Sequence, residues 1–231
     1  MDKVNDNRYV FVDFEMQPVD HRDHPDEWSI ARHEIIEFGA VMLDKNLKEI
    51  SEFQSYVKPR YSEKIQETVE AMTGITAETV SDAADFSEVF NKFVKWCSSD
   101  GLTYCVYAWS GADKGQLVHE IALKQIEKTP EVNYMLSHWF DFQKIFTKTI
   151  GRRLAVSLDK AVEACGLDFE GQMHDALWDA RNTSNLFRLT SDRDSFKKRI
   201  PGIIRELDSK EHFTTSLGDL VDMSGFNLPK Q

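Results

Sequence analysis

The 231-residue sequence has no apolar run long enough to cross a bilayer, and Asp2, Asn5, Asp6 and Arg8 interrupt the segment after Met1 where a targeting core would stand. The expectation is a soluble, cytoplasmic protein with no membrane partner. Cysteine is scarce: Cys97, Cys105 and Cys165 form an odd set without C-x-x-C spacing, which argues against a disulfide framework and a zinc knuckle and leaves buried free thiols. Basic charge is short as well, with 28 Lys and Arg against 39 Asp and Glu, a net charge of -11. General counterion release cannot hold nucleic acid on such a surface, so any polyanion site has to be local. The densest basic stretch is KIFTKTIGRR (144–153), where Lys144, Lys148 and Arg152 recur at i, i+4, i+8 and could share one helix face, either as a contact surface or as an ordinary solvated face. Internal repeats and low-complexity tracts are lacking.

What is present is a globular composition, 41% hydrophobic and 11% aromatic, in a chain long enough for one large domain with an appendage. RYVFVDF (8–14) and EIIEFGAVML (34–43) read as strands, separated by a polar, Pro-punctuated loop with room for a short helical turn. A turn at 44–46 leads into a third strand in EISEFQSYVKP (49–59), so the first three strands form a meander. Helical patterns follow in 62–74, stopped by Gly74, and in 85–99, where Phe86, Val89, Phe90, Phe93, Val94 and Cys97 share a face. GLTYCVYAW (101–109) is a fourth strand, 112–128 an amphipathic helix, and NYMLSHWFDF (133–142) a fifth strand. Two more helices lie in 154–167 and 175–190. Strands succeeded by alternating helices and strands indicate an α/β fold with a central five-stranded mixed sheet flanked by helices. The division expected is 1–190 as the main domain and 191–231 as a C-terminal helical appendage.

FVDFEM (11–16) carries the anomaly. Alternation puts Asp13 and Glu15 on one face of a strand, with Cα atoms about 6 to 7 Å apart. Two unpaired carboxylates on a buried strand cost several kcal/mol unless they are protonated, paired or metal-bound. Alone, the pair favours a solvated strand end that caps the next turn. Asp113, in WSGADKGQL (109–117), stands in the first turn of a helix, where an acid also suits the dipole. In HDALWDARNT (174–183), five residues of helix turn through about 500°. His174 and Asp179 would then point apart on one regular helix, so His174 precedes the helix and Asp175 is its N-cap. Asp179 then shares a stripe with Ala176, Ala180 and Thr183, small enough to let the helix lie close to a strand.

Acid-x-acid on the first strand, a third acid after a later strand, and His-x4-Asp at a late helix resemble the DEDDh-type 3'-to-5' exonucleases, the DnaQ-like branch of the ribonuclease H fold. HEIIEFGAVMLD, FQSYVKP, MTGIT, WSGADKGQL and HDALWDARNT are similar to the subgroup of KapD-like proteins and exonucleases that trim small RNAs and histone messages, over residues 8 to 190. Two departures are Asp175, where the family often has Arg or Asn, and Trp178, where it often has Asp. The resemblance implies two divalent cations, Mg or Mn, about 3.5 to 4 Å apart. Asp13 would bridge them, Glu15 and Asp179 would hold the ion carrying the nucleophilic water, Asp113 would support the second, and His174 would be the general base. It also implies Met16, Met72 and Thr73 at the terminal nucleotide; Trp109 fits either the pocket rim or the core. The partner implied is the 3' end of single-stranded RNA or DNA, with RNA favoured by the subgroup. Two other readings stand beside it: a non-catalytic nucleic-acid-binding relative, and an HD-type phosphohydrolase built on His174-Asp175 with His119 and His138. Asp20, His21, Asp23, His24 and Asp26 read as a solvated insertion loop rather than a second metal site.

Overall fold

The computed structural model describes residues 8–219, apart from 63, 100 and 102, with side chains to residue 209. Three strands come first: β1 (Arg8–Pro18), β2 (His33–Asp44) and β3 (Glu49–Tyr56), with the short helix α1 (Pro25–Ile30) between the first two. Helices α2 (Glu67–Thr73), α3 (Ala77–Ser81) and α4 (Phe86–Cys97) lead to β4 (Tyr104–Ala108) and α5 (Gly111–Leu123). Then come α6 (Pro130–Ser137), β5 (Trp139–Asp141), α7 (Phe142–Ile150), α8 (Leu158–Ala164), α9 (Ala176–Ser191) and α10 (Arg193–Asp219).

The sheet order is β3-β2-β1-β4-β5. The meander pairs antiparallel, whereas β4 joins β1, and β5 joins β4, in parallel. The α/β class, the mixed five-stranded sheet and the meander are therefore as the sequence indicates. Alternation along β1 supplies both faces of the sheet. Val10, Val12 and Phe14 enter a core with Phe86, Phe90 and Phe93 of α4 and Leu117 and Ile121 of α5. Phe11 enters the opposite core with Phe142 and Phe146 of α7, Ala180 and Leu186 of α9, and Phe196, Ile203 and Leu207 of α10. Helices thus cover both faces, and the Phe38–Phe93 and Phe11–Tyr107 ring pairs, 5.5 Å between centroids, each add about 0.5 to 1.5 kcal/mol beyond burial.

Four details differ from the sequence reading. β1 runs on to Pro18, past a bulge between Glu15 and Met16, so the acids lie within the central strand and not at its end. Residues 133–137 belong to α6, started by Thr129 as N-cap and Pro130 in the first turn, and the fifth strand is only Trp139–Asp141. The helix expected over 62–74 is confined to α2, whose stop at Gly74 holds, with φ 75°. Gly151, at φ 78°, ends α7 before Arg152, which instead pairs with Asp208 at 2.6 Å, while Lys144 pairs with Asp141 at 2.9 Å. The three cations therefore do not share one helix face. The tail GFNLPKQ lies outside the described residues.

Candidate active site

The site lies in the C-terminal half of β1, on the face that carries Phe11, where the antiparallel and parallel halves of the sheet meet. Crevices at such switch points are the ligand sites of open α/β sheets. Asp13 sits in register with Gly39 on β2, and Glu15 with Glu37. Gly39 decides what covers them. A Cβ there would fall 2.0 Å from the carbonyl carbon of Ala176 and from the Leu177 nitrogen, so glycine alone lets the first turn of α9 rest on β2. Ala176 and Ala180 are fully buried against the sheet, the small-residue stripe expected of this helix.

Asp175 caps α9, accepting from the N–H groups of Leu177 at 3.1 Å and Trp178 at 3.2 Å. His174 stands outside the helix, exposed, with φ 63°, a left-handed conformation uncommon for a residue with a side chain. Its backbone N–H donates to Asp179 Oδ2 at 3.4 Å, which ties the turn to the acid five residues on. Ligand atoms of Glu15, His174 and Asp179 all lie within 4.8 Å of one another. Asp113 arrives in the first turn of α5, behind the N-cap Ser110, whose hydroxyl donates to Asp113 Oδ2 at 3.3 Å.

No ion pair among the described residues involves Asp13, Glu15, Asp113 or Asp179. Their carboxyls are correspondingly hard to ionise. Burial, then repulsion from Asp179 and Glu37, pushes Glu15 up to about 9. Burial chiefly, with repulsion from Asp113, Asp179 and Glu15, holds Asp13 well above the usual carboxylate range. Asp179 is raised to about 7 by burial, against the hydrogen bond from His174. Asp113 is raised to about 6, also by burial, with hydrogen bonds from Ser110 and the Phe14 backbone opposing. Asp179 Oδ1 is buried without a hydrogen-bond partner. Concentrated, cation-free, hard oxygen donors with an orphaned lone pair are what a Mg or Mn site requires.

Sequence reasoning passed over Glu37. It is buried, pushed up to about 6 by burial, and accepts from Gln54 Nε2 at 2.8 Å and from the Ala176 N–H at 3.3 Å, so it steadies the start of α9 opposite Glu15. The signal was available: an acid inside EIIEFGAVML is the same anomaly as those in FVDFEM. Among the residues expected at the nucleotide, Met16 is half-buried against the first core and Met72 is 47% exposed at the end of α2. Thr73 is buried, its hydroxyl donating to the Val69 carbonyl at 2.9 Å and accepting from the Ile75 N–H at 3.0 Å. Trp109 lies in the second core and donates to the Val156 carbonyl at 3.2 Å. His119 and His138 do not join His174 in the metal-ligand group found among the described residues, and the five-stranded sheet is incompatible with the all-α HD reading.

A mixed sheet in this strand order, sandwiched between helices and presenting carboxylates from within its central strand, defines the ribonuclease H-like class of α/β folds. The chain belongs to the exonuclease family, whose family model (RNase_T) matches residues 10–187. The resemblance to DEDDh-type 3'-to-5' exonucleases is borne out. Human "ERI1 exoribonuclease 2" is 28% identical over 88% of this chain and 33% of its own length. The Danio rerio protein of that name is 32% identical over 69% of this chain and 32% of its own. "3'-5' exoribonuclease 1" of Rattus norvegicus is 28% identical over 67% and 46%. This chain thus spans between a third and a half of these curated relatives. The nuclease domain of 3'hExo, a DEDDh family member bound to rAMP, shares the fold with a TM-score of 0.68 at 23% identity, over 82% of this chain and 94% of that one. No helix among the described residues is long and apolar enough to cross a membrane.

Proposed function

We propose that this chain is a metal-dependent exonuclease that removes nucleoside monophosphates from the 3' end of single-stranded nucleic acid, RNA in preference to DNA. The observation that carries the reading is the convergence of Glu15, Asp179 and His174 beside Asp13 and Asp113 without a balancing cation. Asp13, Glu15, Asp113 and Asp179 are the residues that would hold Mg or Mn. Two divalent cations bound there would supply charge neutralisation for the scissile phosphate and acidify the attacking water.

The protein's own work is positional. β1 and α9 hold their carboxylates where burial keeps them largely out of bulk water. His174, on an exposed turn outside the helix, is free to bring an imidazole nitrogen to the attacking water and take its proton. The ester bond to the departing 3' oxygen then breaks, and that oxygen is protonated from solvent. Met16 and the exposed Met72 offer apolar surfaces to a terminal base, a sequence-tolerant mode of contact. The preference for RNA rests on the relatives named as exoribonucleases.

Oligonucleotides of RNA and DNA labelled at the 5' end, with free or blocked 3' ends, test the polarity in the presence of Mn. A ladder of one-nucleotide steps on the free end alone, faster on RNA, is expected; shortening of the blocked strands would overturn the reading.

A further inference from the structure

Past the bulge at Glu15/Met16, the register sets Gln17 opposite Glu34. Both are almost fully buried, 1% and 0% exposed, and neither belongs to the carboxylate site. Buried polar groups at such positions require partners, and here most of the partners lie in one segment of chain. Gln17 Nε2 donates to the Lys64 carbonyl at 3.1 Å, and its Oε1 accepts from the Gln66 N–H at 3.1 Å. Glu34 Oε1 accepts from the Arg60 N–H at 2.8 Å, and its Oε2 from the Tyr61 N–H at 2.7 Å. Lys124, the C-cap of α5, whose side chain is buried, pairs with Glu34 and stands 4.4 Å over the Tyr61 ring. Two adjacent side chains on neighbouring strands therefore grip the main chain at Arg60, Tyr61, Lys64 and Gln66.

That segment leads directly into α2. Gln66 is its N-cap but makes no side-chain capping bond, so the bond from Gln17 serves that end of the helix. α2 buries only Val69 and Thr73, and its other end carries the exposed Met72. Met16 immediately precedes Gln17 on β1. The grip consequently links the two apolar surfaces offered to the terminal base through hydrogen bonds, beside a small apolar cluster in which Ile65 and Val69 meet Ile36 of β2.

We propose that Gln17, backed by Glu34 and Lys124, is a positioning residue that sets the spacing between Met16 and Met72 and thereby the fit of the 3'-terminal nucleotide. This rests on the exonuclease reading. Gln17→Leu keeps volume and burial while deleting both bonds to the segment. Two hydrogen bonds of ordinary net worth correspond to a change on the order of tenfold. The expected result is KM for a short RNA, and Kd for adenosine 5'-monophosphate by calorimetry with Mn, both raised about tenfold, with kcat kept within about twofold. The Mn-induced rise in Tm should match that of wild type, because the carboxylates are untouched.

Unchanged KM and nucleotide affinity would overturn the proposal. So would parallel loss of kcat and of the Mn response, which marks a general structural role. If Gln17→Leu does not fold, Gln17→Asn, whose amide is one methylene too short to reach both partners, is measured the same way with the same criteria. Absence of cleavage by the wild type would sink the exonuclease reading itself. In that case an unaltered nucleotide Kd in the variant, or no nucleotide binding by wild type, refutes the positioning role separately.

Discussion

Gly39 and Ala176 meet backbone against backbone: a Cβ on Gly39 would stand 2.0 Å from the Ala176 carbonyl carbon. Asp13 lies opposite that glycine and Asp179 lies on the helix it admits, so one missing methyl group governs how closely two of the acids approach. Gly39→Ala must push α9 off the sheet. A cost of about 1 to 3 kcal/mol in urea unfolding is expected, typical of overpacking. Nuclease activity should fall far more than the remaining folded fraction explains. Activity in proportion to folded protein would mean that the spacing is unimportant.

The carboxylates make the metal-free protein sensitive to pH. Asp113 at about 6, Asp179 at about 7 and Glu15 at about 9 all sit above their unfolded values of 3.8, 3.8 and 4.5. The folded state therefore binds protons more tightly than the unfolded chain. The stability this confers is complete below about pH 4 and is lost as pH rises through 6, 7 and 9. In EDTA, Tm should drop between pH 5 and 9, and Mg or Mn should recover most of the loss at the alkaline end. A metal-free Tm that is flat or rises over this range would contradict the electrostatics described.

Glu37 repels Glu15 across the strand pair while anchoring the first turn of α9. Glu37→Gln removes the charge and keeps an acceptor for the Ala176 N–H. With its carboxyl raised from 4.5 to about 6, the substitution should stabilise the metal-free protein by about 1 to 2 kcal/mol at pH 8 and weaken Mn binding. Equal stability of the two proteins in EDTA would show that the carboxylate is better compensated than its surroundings indicate.

Much of this site was legible because its parts are local. The N-cap at Asp175, the placement of His174 before α9, and Asp113 in the first turn of α5 follow from short-range rules about helix ends. Asp13 and Glu15 announce themselves because a strand alternates and a buried acid is costly. Glu37, Gly39 and Gln17 were missed for a shared reason: their roles come from neighbours far along the chain. Glu37 holds Ala176, Gly39 makes room for it, and Gln17 holds Gln66. The fifth strand was misjudged because WFD is only three residues long, and the apolar residues before it belong to a helix started by Thr129 and Pro130. The basic stripe failed at Gly151, whose left-handed conformation ends α7 one residue before Arg152.

A Mn response is expected to depend most on Asp13, whose buried carboxyl is repelled by Asp113, Asp179 and Glu15 together. Asp13→Asn should raise Tm in EDTA and abolish the Mn-induced increase. An unchanged Mn increase in this variant would place the cation elsewhere.

The most direct measurement is single-turnover cleavage of a 5'-labelled single-stranded RNA in Mn by wild type, Asp13→Ala and His174→Ala, each first shown to be folded by circular dichroism. Stepwise 3'-to-5' shortening by wild type is expected, with a loss of at least about a hundredfold in each variant, the lower range for removal of a positioned acid–base group. Equal cleavage rates in either variant and wild type, or cleavage that starts inside the strand, would contradict the account.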